Sequence, residues 1–361
     1  MRPTDEPTNN DRLPSRMQAV HLTGYGGLDR LRWTEEVPLP VPQAGEVLIR
    51  VGACGVNNTD LWTREGAYGH GYEAAWMGQA FHFPRIQGLD AVGHIVAVAE
   101  AGDPARIGQR VVVNPCLYAG DHDGLQGLQV VGSERDGGFA QYLCVPSANA
   151  LPIRSAYSDA ELATFMTPYM TAEHMLRRAG LRAGERIFIT GASGGVGSAL
   201  VQLALLRGAE VVALSSRAKV GAIQALGVAT VLAREDGHPK ARLQNLGVPT
   251  AFDVVADIVG GEQVASCLDL LRVGGRYVTA GAVAGAVVSV DWRQIYLKQL
   301  SLLGVTMGTA DDAQTIVQHI EAGRLRPLLA GTFDLQDMAQ AQEVFAQRRH
   351  VGSWVVLPPS A

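Results

Sequence analysis

One stretch, Ile187 to Leu206 (IFITGASGGVGSALVQLALL), constrains the fold of this chain more than any other. A short apolar run ends at Thr190, four glycines crowd the next seven residues, and an Ala/Leu/Val-rich helical pattern follows. Residues without a Cβ let a pyrophosphate approach the backbone, and the amides at a helix start carry partial positive charge. Gly194 and Gly197 stand at the second and third positions of the usual GxGxxG spacing, and Ala192 stands at the first. The order strand, glycine turn, helix therefore predicts a dinucleotide-binding turn, with an ordinary βα turn as the alternative.

Composition restricts the classes of protein to which the chain can belong. Its 361 residues, 47% hydrophobic content and 42 glycines are enough for two domains with their own cores. The net charge is −5 and the basic residues are dispersed, which disfavours nucleic acid and membrane surfaces and favours a small-molecule substrate. No run reaches the roughly 18 apolar residues of a membrane helix, and residues 1–16 lack the apolar core of a secretory signal. We therefore expect a cytoplasmic protein, whose widely spaced cysteines are reduced thiols.

The pattern of strands and helices divides the chain into two units. From residue 17 to about 150, short alternating runs punctuated by Gly and Pro predict a compact β domain. From 151 to 309, strands and helices alternate in the rhythm of a doubly wound parallel sheet, a Rossmann domain. The terminal strand WVVL has no obvious place in that sheet, so residues 310–361 are expected to complete the β domain. The predicted fold class is α/β.

Two long irregular stretches, Leu61 to Pro84 and Asn114 to Gly138, interrupt the β domain. Because long loops in compact domains are usually functional, we expect the first to form a substrate wall, with a purely structural loop as the alternative. Its aromatic and histidine side chains are Tyr68, His70, Tyr72, Trp76, Phe81 and His82. In the second half of the chain, helices are predicted at about Thr171–Arg178, from Asp311 to near Gly323, and over Met338–Arg349.

The strand after the glycine turn ends in residues that suit a phosphate. In NAD-binding Rossmann units an acid about 20 residues beyond the glycines accepts the ribose hydroxyls. This chain has no acid there, and its hydroxyls and cations would instead bind the extra phosphate of NADP. We therefore predict NADP(H), bound by Ser193, Gly194, Gly195 and Val196 of the turn and by Ser215, Ser216, Arg217 and Lys219 of the strand end. The alternative is that the two cations are solvated surface charges.

Five stretches together resemble the medium-chain dehydrogenase/reductase superfamily, and more closely its zinc-free quinone or enone reductase-like branch. They are ACGVNNTD at 53–60, FPRIQGLDAVGHIVAV at 83–98, SERDGGFAQY at 133–142, TPYMTAEHML at 167–176 and ITGASGGVGSALVQLA at 189–204. The resemblance covers nearly everything from Met17 to Leu357. It implies a GroES-like β domain, an inserted Rossmann domain, and a nicotinamide cofactor in the cleft between them. It also implies a homodimer that pairs through the strand LSLLGVT at 300–306.

The chain departs from the zinc-dependent alcohol dehydrogenases of that superfamily at the metal ligands. Those enzymes bind catalytic zinc with a Cys, a His and a second Cys, and the matching positions here are Asn57, Leu89 and Thr167. Leucine has no donor atom, and amide or hydroxyl groups are poor ligands beside thiolate or imidazole. The structural-zinc lobe of the family has four cysteines, whereas the matching stretch here has one. We predict no metal; the alternative is another site built from His70, His82, Asp60 and Asp90.

Chemistry without zinc limits the acceptor of the hydride. Reduction of a saturated ketone develops alkoxide charge, whereas reduction of a conjugated C=C or a quinone spreads the charge, so that one or two neutral donors suffice. We expect the Asn57 amide and the Thr59 hydroxyl to be these donors, and Tyr68 to be a further proton donor. By resemblance, Thr59 matches the Ser/Thr that relays protons in the zinc enzymes. The resemblance also implies nicotinamide contacts from Thr171, Gly281, Ala282 and Met307, and adenosine contacts from Ile258 and Val259, all of which could instead be plain core.

The sequence thus predicts an NADPH-dependent, zinc-independent reductase of quinones or α,β-unsaturated carbonyls. One alternative is a zinc-free alcohol or ketone dehydrogenase that uses Thr59. A second alternative, of a different class, is a non-catalytic NADPH-binding structural or regulatory protein, because the superfamily includes such members.

Overall fold

A computed structural model describes residues 13–68, 81–118 and 128–360 of the chain. Within these ranges the strands are β1 (Arg16–Leu22), β2 (Leu31–Pro38), β3 (Glu46–Val56), β4 (Arg85–Ile86), β5 (Asp90–Val98), β6 (Arg110–Val113), β7 (Cys116–Leu117), β8 (Gln129–Val130), β9 (Tyr142–Pro146), β10 (Ala150–Pro152), β11 (Arg186–Ile189), β12 (Glu210–Ser215), β13 (Thr230–Ala233), β14 (Phe252–Asp257), β15 (Leu271–Thr279), β16 (Ser301–Gly304), β17 (Leu329–Asp334) and β18 (Ser353–Leu357). The α-helices are α1 (Asn58–Glu65), α2 (Asp159–Leu162), α3 (Met166–Arg178), α4 (Gly195–Leu206), α5 (Val220–Gln224), α6 (Pro239–Asn245), α7 (Gln263–Leu270), α8 (Trp292–Leu297), α9 (Ala310–Glu321) and α10 (Met338–Ala346). None of these described helices is both long enough and apolar enough to cross a membrane.

The N-terminal sheet is built around β3, which pairs with β5, β9 and β18. Its sequence EVLIRVGACGV is almost continuously buried, as expected for a strand at the centre of a β domain. The terminal strand β18 lies antiparallel to β3, with Trp354 opposite Val56, and β17 continues the sheet beyond it. The C-terminal strand therefore joins the N-terminal sheet. The exact domain bounds, 17–150 with 310–361 and 151–309, stay a prediction.

The second sheet contains only parallel pairs, in the order β13-β12-β11-β14-β15-β16. All strands run in the same direction, but the order in which the chain adds them reverses between β11 and β14, which is the switch point where ligands bind in doubly wound sheets. The alternating pattern of the sequence predicts five of these strands, at 187–190, 211–214, 252–256, 276–279 and 300–305, and all five are present, with no end displaced by more than five residues. It missed β13, because the apolar run TVLA is short and partly exposed. The predicted α/β fold class is confirmed.

Several predicted element boundaries are wrong. Helix α3 begins at Met166 rather than near Thr171, because Pro168 lies in its first turn, where a missing amide costs no helical hydrogen bond. Helix α9 is capped by Thr309, whose side chain accepts from the Asp312 amide, and not by Asp311. Helix α10 ends at Ala346 instead of Arg349. The stretch from Leu61, predicted to be irregular, instead begins within α1, which continues to Glu65.

Helix α3 connects the two units. One continuous cluster of buried side chains contains Leu89 and Val92 of the β domain, Tyr169 and Met170 of α3, and Ile187 of the second sheet. The amino end of α3 also contacts the β domain directly, because the Thr167 amide donates to Asp90 Oδ1 at 2.7 Å. The β domain and the nucleotide-binding unit therefore share a core, and α3 has a fixed position relative to both.

The glycine turn depends on a close approach between two backbones. A Cβ atom at Gly197 would lie 2.1 Å from the carbonyl oxygen of Gly191, far inside van der Waals contact. Only glycine at this position lets α4 start directly over the end of β11.

We expect Gly197→Ala to lower the free energy of unfolding by about 1–3 kcal/mol, since backbone atoms must move to admit the methyl group. The matched control is Gly221→Ala in α5, where no atom lies within 4 Å of the added Cβ. It should stabilise by about 0.5–1 kcal/mol through helix propensity. Urea unfolding followed by circular dichroism measures both, and equal effects of the two substitutions would contradict this packing.

Candidate active site

The first part of the site lies where β3 ends and α1 begins. Asn57 is the N-cap of α1, and its backbone amide donates to Asp60 Oδ2 at 2.7 Å, which fixes the helix start. Thr59 lies in the first turn and is half-buried, as is Asn57. Tyr68 follows the helix, and its phenol hydrogen-bonds the Thr59 side chain. The three predicted catalytic residues thus lie along α1 and the turn that follows it.

Asp90, which the sequence named only as a member of an alternative metal site, lies at the centre of this part of the site. Its Oδ2 accepts from Asn57 Nδ2 at 2.8 Å, and its Oδ1 accepts from the backbone amide and the hydroxyl of Thr167, at 2.7 and 2.6 Å. Asp90 is 2% exposed and Thr167 is 8% exposed. The carboxylate therefore joins the N-cap of α1 to the first turn of α3.

The buried acids of the site have raised pKa values. Burial raises the pKa of Asp60 to about 8, and the neighbouring Asp90 charge adds to this effect. Burial raises the pKa of Asp90 to about 6, against the hydrogen bonds from Thr167 and Asn57, which favour its ionised form. Burial also raises the pKa of Tyr68 to about 12. The three donors that converge on Asp90 suit its ionised form, since an ionised carboxylate only accepts hydrogen bonds.

The second part of the site is the glycine turn at the switch point. Gly194 is the N-cap of α4, and a Cβ there would touch only Gly191 O, at 3.7 Å, so the space above the turn is open. Gly194, Gly195 and Val196 are half exposed. The Ser193 carbonyl accepts from the Gly352 amide at 3.0 Å, so the C-terminal segment crosses beside the turn.

The loops after β14 and β15 meet this turn. A Cβ at Gly191 would lie 2.9 Å from Val259 Cγ2 and 3.0 Å from Ile258 Cγ1, and one at Gly281 would lie 2.8 Å from the Ile258 carbonyl oxygen. Ala282 follows Gly281 and is half-buried. The structure therefore brings these four predicted cofactor residues to the edge of the sheet where the glycine turn lies.

Asp257, which the sequence reasoning missed, holds this edge together. It is fully buried at the end of β14, and it accepts from Thr190 Oγ1, from the Val259 amide at 2.8 Å and from the Tyr277 hydroxyl at 2.5 Å. These donors come from the ends of three neighbouring strands. A single acid directly after an apolar strand, in DIVGG, was the signal available in the sequence.

The residues predicted to bind the NADP phosphate lie at the end of β12. Ser215 is buried, and among the described residues its hydroxyl has no hydrogen-bond partner. Arg217 is exposed and pairs with Asp236, an acid of the following loop, so part of its charge is already compensated. Lys219 Nζ donates to the Arg348 carbonyl oxygen at 2.6 Å. Burial, then the Arg234 and Arg348 charges, lower the pKa of Lys219.

The nicotinamide-side residues lie on and beside α3. The Thr171 hydroxyl donates to the Thr167 carbonyl oxygen at 2.7 Å. Met307 is buried with φ 50°, a left-handed conformation that costs a non-glycine residue free energy, and its carbonyl oxygen lies 3.0 Å from His174 Nδ1. Thr171 therefore lies on α3, and the segment that carries Met307 contacts the same helix at His174.

The predicted substrate wall is described only in part. His70, Tyr72 and Trp76 lie outside the described residues. Phe81 is buried and packs with Tyr25 and Phe83 at ring-centroid distances of 6.1 and 4.9 Å. His82 is exposed. Among the described aromatic residues of this predicted wall, Tyr68 hydrogen-bonds the side chain of Thr59 on α1.

Comparison with known proteins agrees with this geometry. Residues 43–155 match the alcohol dehydrogenase GroES-like domain, and residues 195–322 match the zinc-binding dehydrogenase family. A solved structure from Sinorhizobium meliloti 1021, provisionally named an alcohol dehydrogenase, is 46% identical with a TM-score of 0.90 and covers 96% of this chain and 98% of its own. The chain belongs to the medium-chain dehydrogenase/reductase superfamily of oxidoreductases. The resemblance found in the sequence and its GroES-like domain are thereby confirmed.

Two curated relatives of the superfamily match at lower identity over most of their length. A quinone oxidoreductase from Lama guanicoe is 27% identical over 350 residues, which are 94% of this chain and 97% of the relative. An acryloyl-coenzyme A reductase from Metallosphaera sedula is 29% identical over 350 residues, which are 93% of this chain and 98% of the relative.

The zinc that the second family description names does not fit the residues present. The sequence matches Asn57, Leu89 and Thr167 to the three ligand positions of the zinc-dependent members. Asn57 and Thr167 donate hydrogen bonds to Asp90, and Leu89 is a buried hydrocarbon side chain. In residues 13–68, 81–118 and 128–360, no group of three or more His, Cys, Asp or Glu side chains could hold a metal ion. The donor set that converges here is an amide, a hydroxyl and one carboxylate, which is a weak set for zinc.

Proposed function

We propose that this protein is an NADPH-dependent reductase that transfers hydride to a quinone or an α,β-unsaturated carbonyl without zinc. The observation that carries the proposal is the hydrogen-bonded cluster of Asn57, Asp90 and Thr167, in which Asn57 and Thr167 stand at two of the three predicted zinc-ligand positions. Thr167 donates to Asp90, so Asn57 is the neutral donor that this cluster offers to a substrate, and neutral donors suffice when the developing negative charge is spread over a conjugated system.

The glycine turn and the end of β12 fit a phosphorylated dinucleotide. Open space lies above Gly194, and the unpartnered Ser215 hydroxyl lies at the strand end where the ribose of such a cofactor binds. Lys219 is a half-buried cation beside it, with no acid at the position that selects NAD. Arg217 supplies a second cation, which would exchange its Asp236 partner for phosphate.

The chain's own residues orient the reactants and move the proton. The bound cofactor supplies the hydride. Asn57 and Thr59 donate hydrogen bonds to the acceptor oxygen, and one preorganised donor of this kind contributes roughly 10²-fold to the rate. The hydrogen-bonded pair of Thr59 and Tyr68 relays a proton from water to that oxygen. Thr171 and Met307 would pack against the nicotinamide, and Ile258 and Val259 against the adenosine.

The names of the relatives indicate two kinds of hydride acceptor, conjugated compounds and simple carbonyl compounds. Quinones and acryloyl thioesters, named for two curated relatives, are conjugated acceptors. The Sinorhizobium meliloti protein, at 46% identity, carries the name of an alcohol dehydrogenase, which supports a zinc-free alcohol or ketone dehydrogenase as the second candidate.

A turnover screen separates these functions. After dialysis against a chelator, with metal content measured, we expect NADPH oxidation with quinones and enals but not with saturated ketones. Asn57→Ala should lower kcat about 10²-fold, whereas Asn58→Ala, the neighbouring half-buried residue, should have little effect. Turnover with ketones alone would favour the second candidate. Tight NADPH binding without any turnover would favour a structural or regulatory role, and activity that zinc restores would contradict the proposal.

Cofactor selectivity should depend on Lys219. We expect Lys219→Ala to raise the Kd of NADPH about tenfold, because a charge-assisted hydrogen bond to phosphate is lost, and to leave the Kd of NADH unchanged. Lys240→Ala is the control, since Lys240 pairs with Asp269 on α6 and α7, away from β12. Fluorescence titration of each cofactor measures these constants. Equal weakening of both cofactors, or a preference of the unchanged protein for NADH, would refute the phosphate role.

We also propose a homodimer that pairs along β16, the edge strand of the described parallel sheet. Seven exposed large apolar side chains lie between residues 283 and 302, and Trp292 and Leu297 are 71% and 68% exposed. An exposed edge strand beside an apolar patch of this kind is typical of a covered interface.

Light scattering after size exclusion tests the dimer. The unchanged protein should have twice the mass of one chain, and Leu302→Lys on β16 should shift it to the monomer mass by placing a charge in the interface. Leu246→Lys, at a residue that is 54% exposed beyond α6, should remain dimeric. A monomer at micromolar concentration of the unchanged protein would contradict the proposed interface.

A further inference from the structure

The carboxylate of Asp90 has no role in the proposed reaction as described, although three donors converge on it. One oxygen accepts from Asn57 Nδ2 at 2.8 Å, and the other accepts the amide and hydroxyl of Thr167 at 2.7 and 2.6 Å. The two partners belong to different parts of the fold, the start of α1 and the start of α3. Burying a carboxylate costs free energy, and these donors offset much of that cost.

The chemistry of the pair fixes the orientation of the Asn57 amide. An ionised carboxylate only accepts hydrogen bonds, whereas an asparagine side chain has a donor end and an acceptor end. Asp90 must therefore face the amino end of the Asn57 amide, and it takes one of the two N–H groups. In the part of the chain that the structure describes, the second N–H has no acceptor, so it can donate to a substrate. Asn57 is half-buried whereas Asp90 is 2% exposed. The carboxylate therefore binds the amide from the interior of the protein and leaves the more exposed side of the amide to a ligand.

Within residues 13–68, 81–118 and 128–360, no cation pairs with Asp90. The titratable groups there that act on Asp90 or on its neighbour Asp60 are the thiols of Cys54 and Cys116 and the phenol of Tyr68. An isolated buried carboxylate without a cation is unusual, because ionised side chains are rarely buried unless they are paired. Its hydrogen-bond partners, Asn57 and Thr167, therefore account for its presence.

We infer that Asp90 is a positioning residue, which turns Asn57 into a donor by fixing its amide so that one N–H faces the oxygen of the substrate. In the proposed reaction that N–H stabilises the developing charge on the quinone or enolate oxygen. This inference rests on the proposed function, in which Asn57 contacts the substrate. Without the carboxylate the amide rotates or inverts, and its carbonyl end then repels the same oxygen.

A double-mutant cycle tests the inference. Asp90→Asn should lower kcat with a quinone roughly 10- to 100-fold, because the amide loses its fixed orientation. The Kd of NADPH should stay unchanged. In the Asn57→Ala background the same substitution should cost no further activity, since no amide remains to be oriented. Thr167→Val is the matched control: it removes one donor to the same carboxylate, keeps the backbone amide, and should lower kcat less than the Asp90 substitution.

Three results would overturn the inference. They are unchanged kcat in Asp90→Asn, losses that multiply in the double variant, and a Kd of NADPH that rises in proportion to the loss of kcat. The last two would indicate that the carboxylate acts through the fold and not through Asn57.

A second readout is independent of turnover and keeps the test valid if no substrate is found. The side-chain amide signal of Asn57, assigned by its absence in Asn57→Ala, should exchange slowly with solvent in the unchanged protein and rapidly in Asp90→Asn. Identical exchange in both proteins would overturn the inference. The absence of turnover with every acceptor, together with the expected amide exchange, would instead refute only the proposed function.

Discussion

The three hydrogen bonds to the Asp90 carboxylate connect the two halves of this molecule. The carboxylate lies at the start of β5, and its donors come from the N-cap of α1 and the first turn of α3. Because α3 also packs into the core shared with the parallel sheet, the bond to Thr167 ties the β domain to the nucleotide-binding unit. The positions of Asn57 and Thr167 therefore depend on both units.

In the parallel sheet, Asp257 is a second buried carboxylate on which several hydrogen-bond donors converge. Its carboxylate collects donors from the ends of β11, β14 and β15, and so holds the glycine turn beside the loops that carry Ile258 and Gly281. Gly197 lets α4 begin close above the turn. Two buried carboxylates, Asp90 in the β domain and Asp257 in the parallel sheet, thus fix the segments that carry the residues of the proposed site.

Local sequence patterns predicted much of this fold, and contacts between distant residues explain what they missed. The strand, glycine turn and helix at residues 187–206 are encoded within one short segment, so their prediction needed no tertiary information. Strand β13 was missed because it is short and half-buried. The start of α3 was missed because a proline, Pro168, lies in its first turn, and proline usually indicates that a helix has not begun. Asp90 and Thr167 are 77 residues apart, and no spacing rule connects them. The contact between Lys219 and Arg348 spans 129 residues, and the sequence pattern could not predict it for the same reason.

The most direct measurement is a single turnover with NADPH carrying deuterium at C4, in each of its two configurations, on protein dialysed against a chelator and assayed for zinc. With an enal as acceptor, the account predicts that one of the two labels appears on the β carbon of the product while the zinc content stays far below one ion per chain. No label transfer until zinc is added back would contradict the central claim that this site reduces conjugated acceptors with its own hydrogen-bond donors.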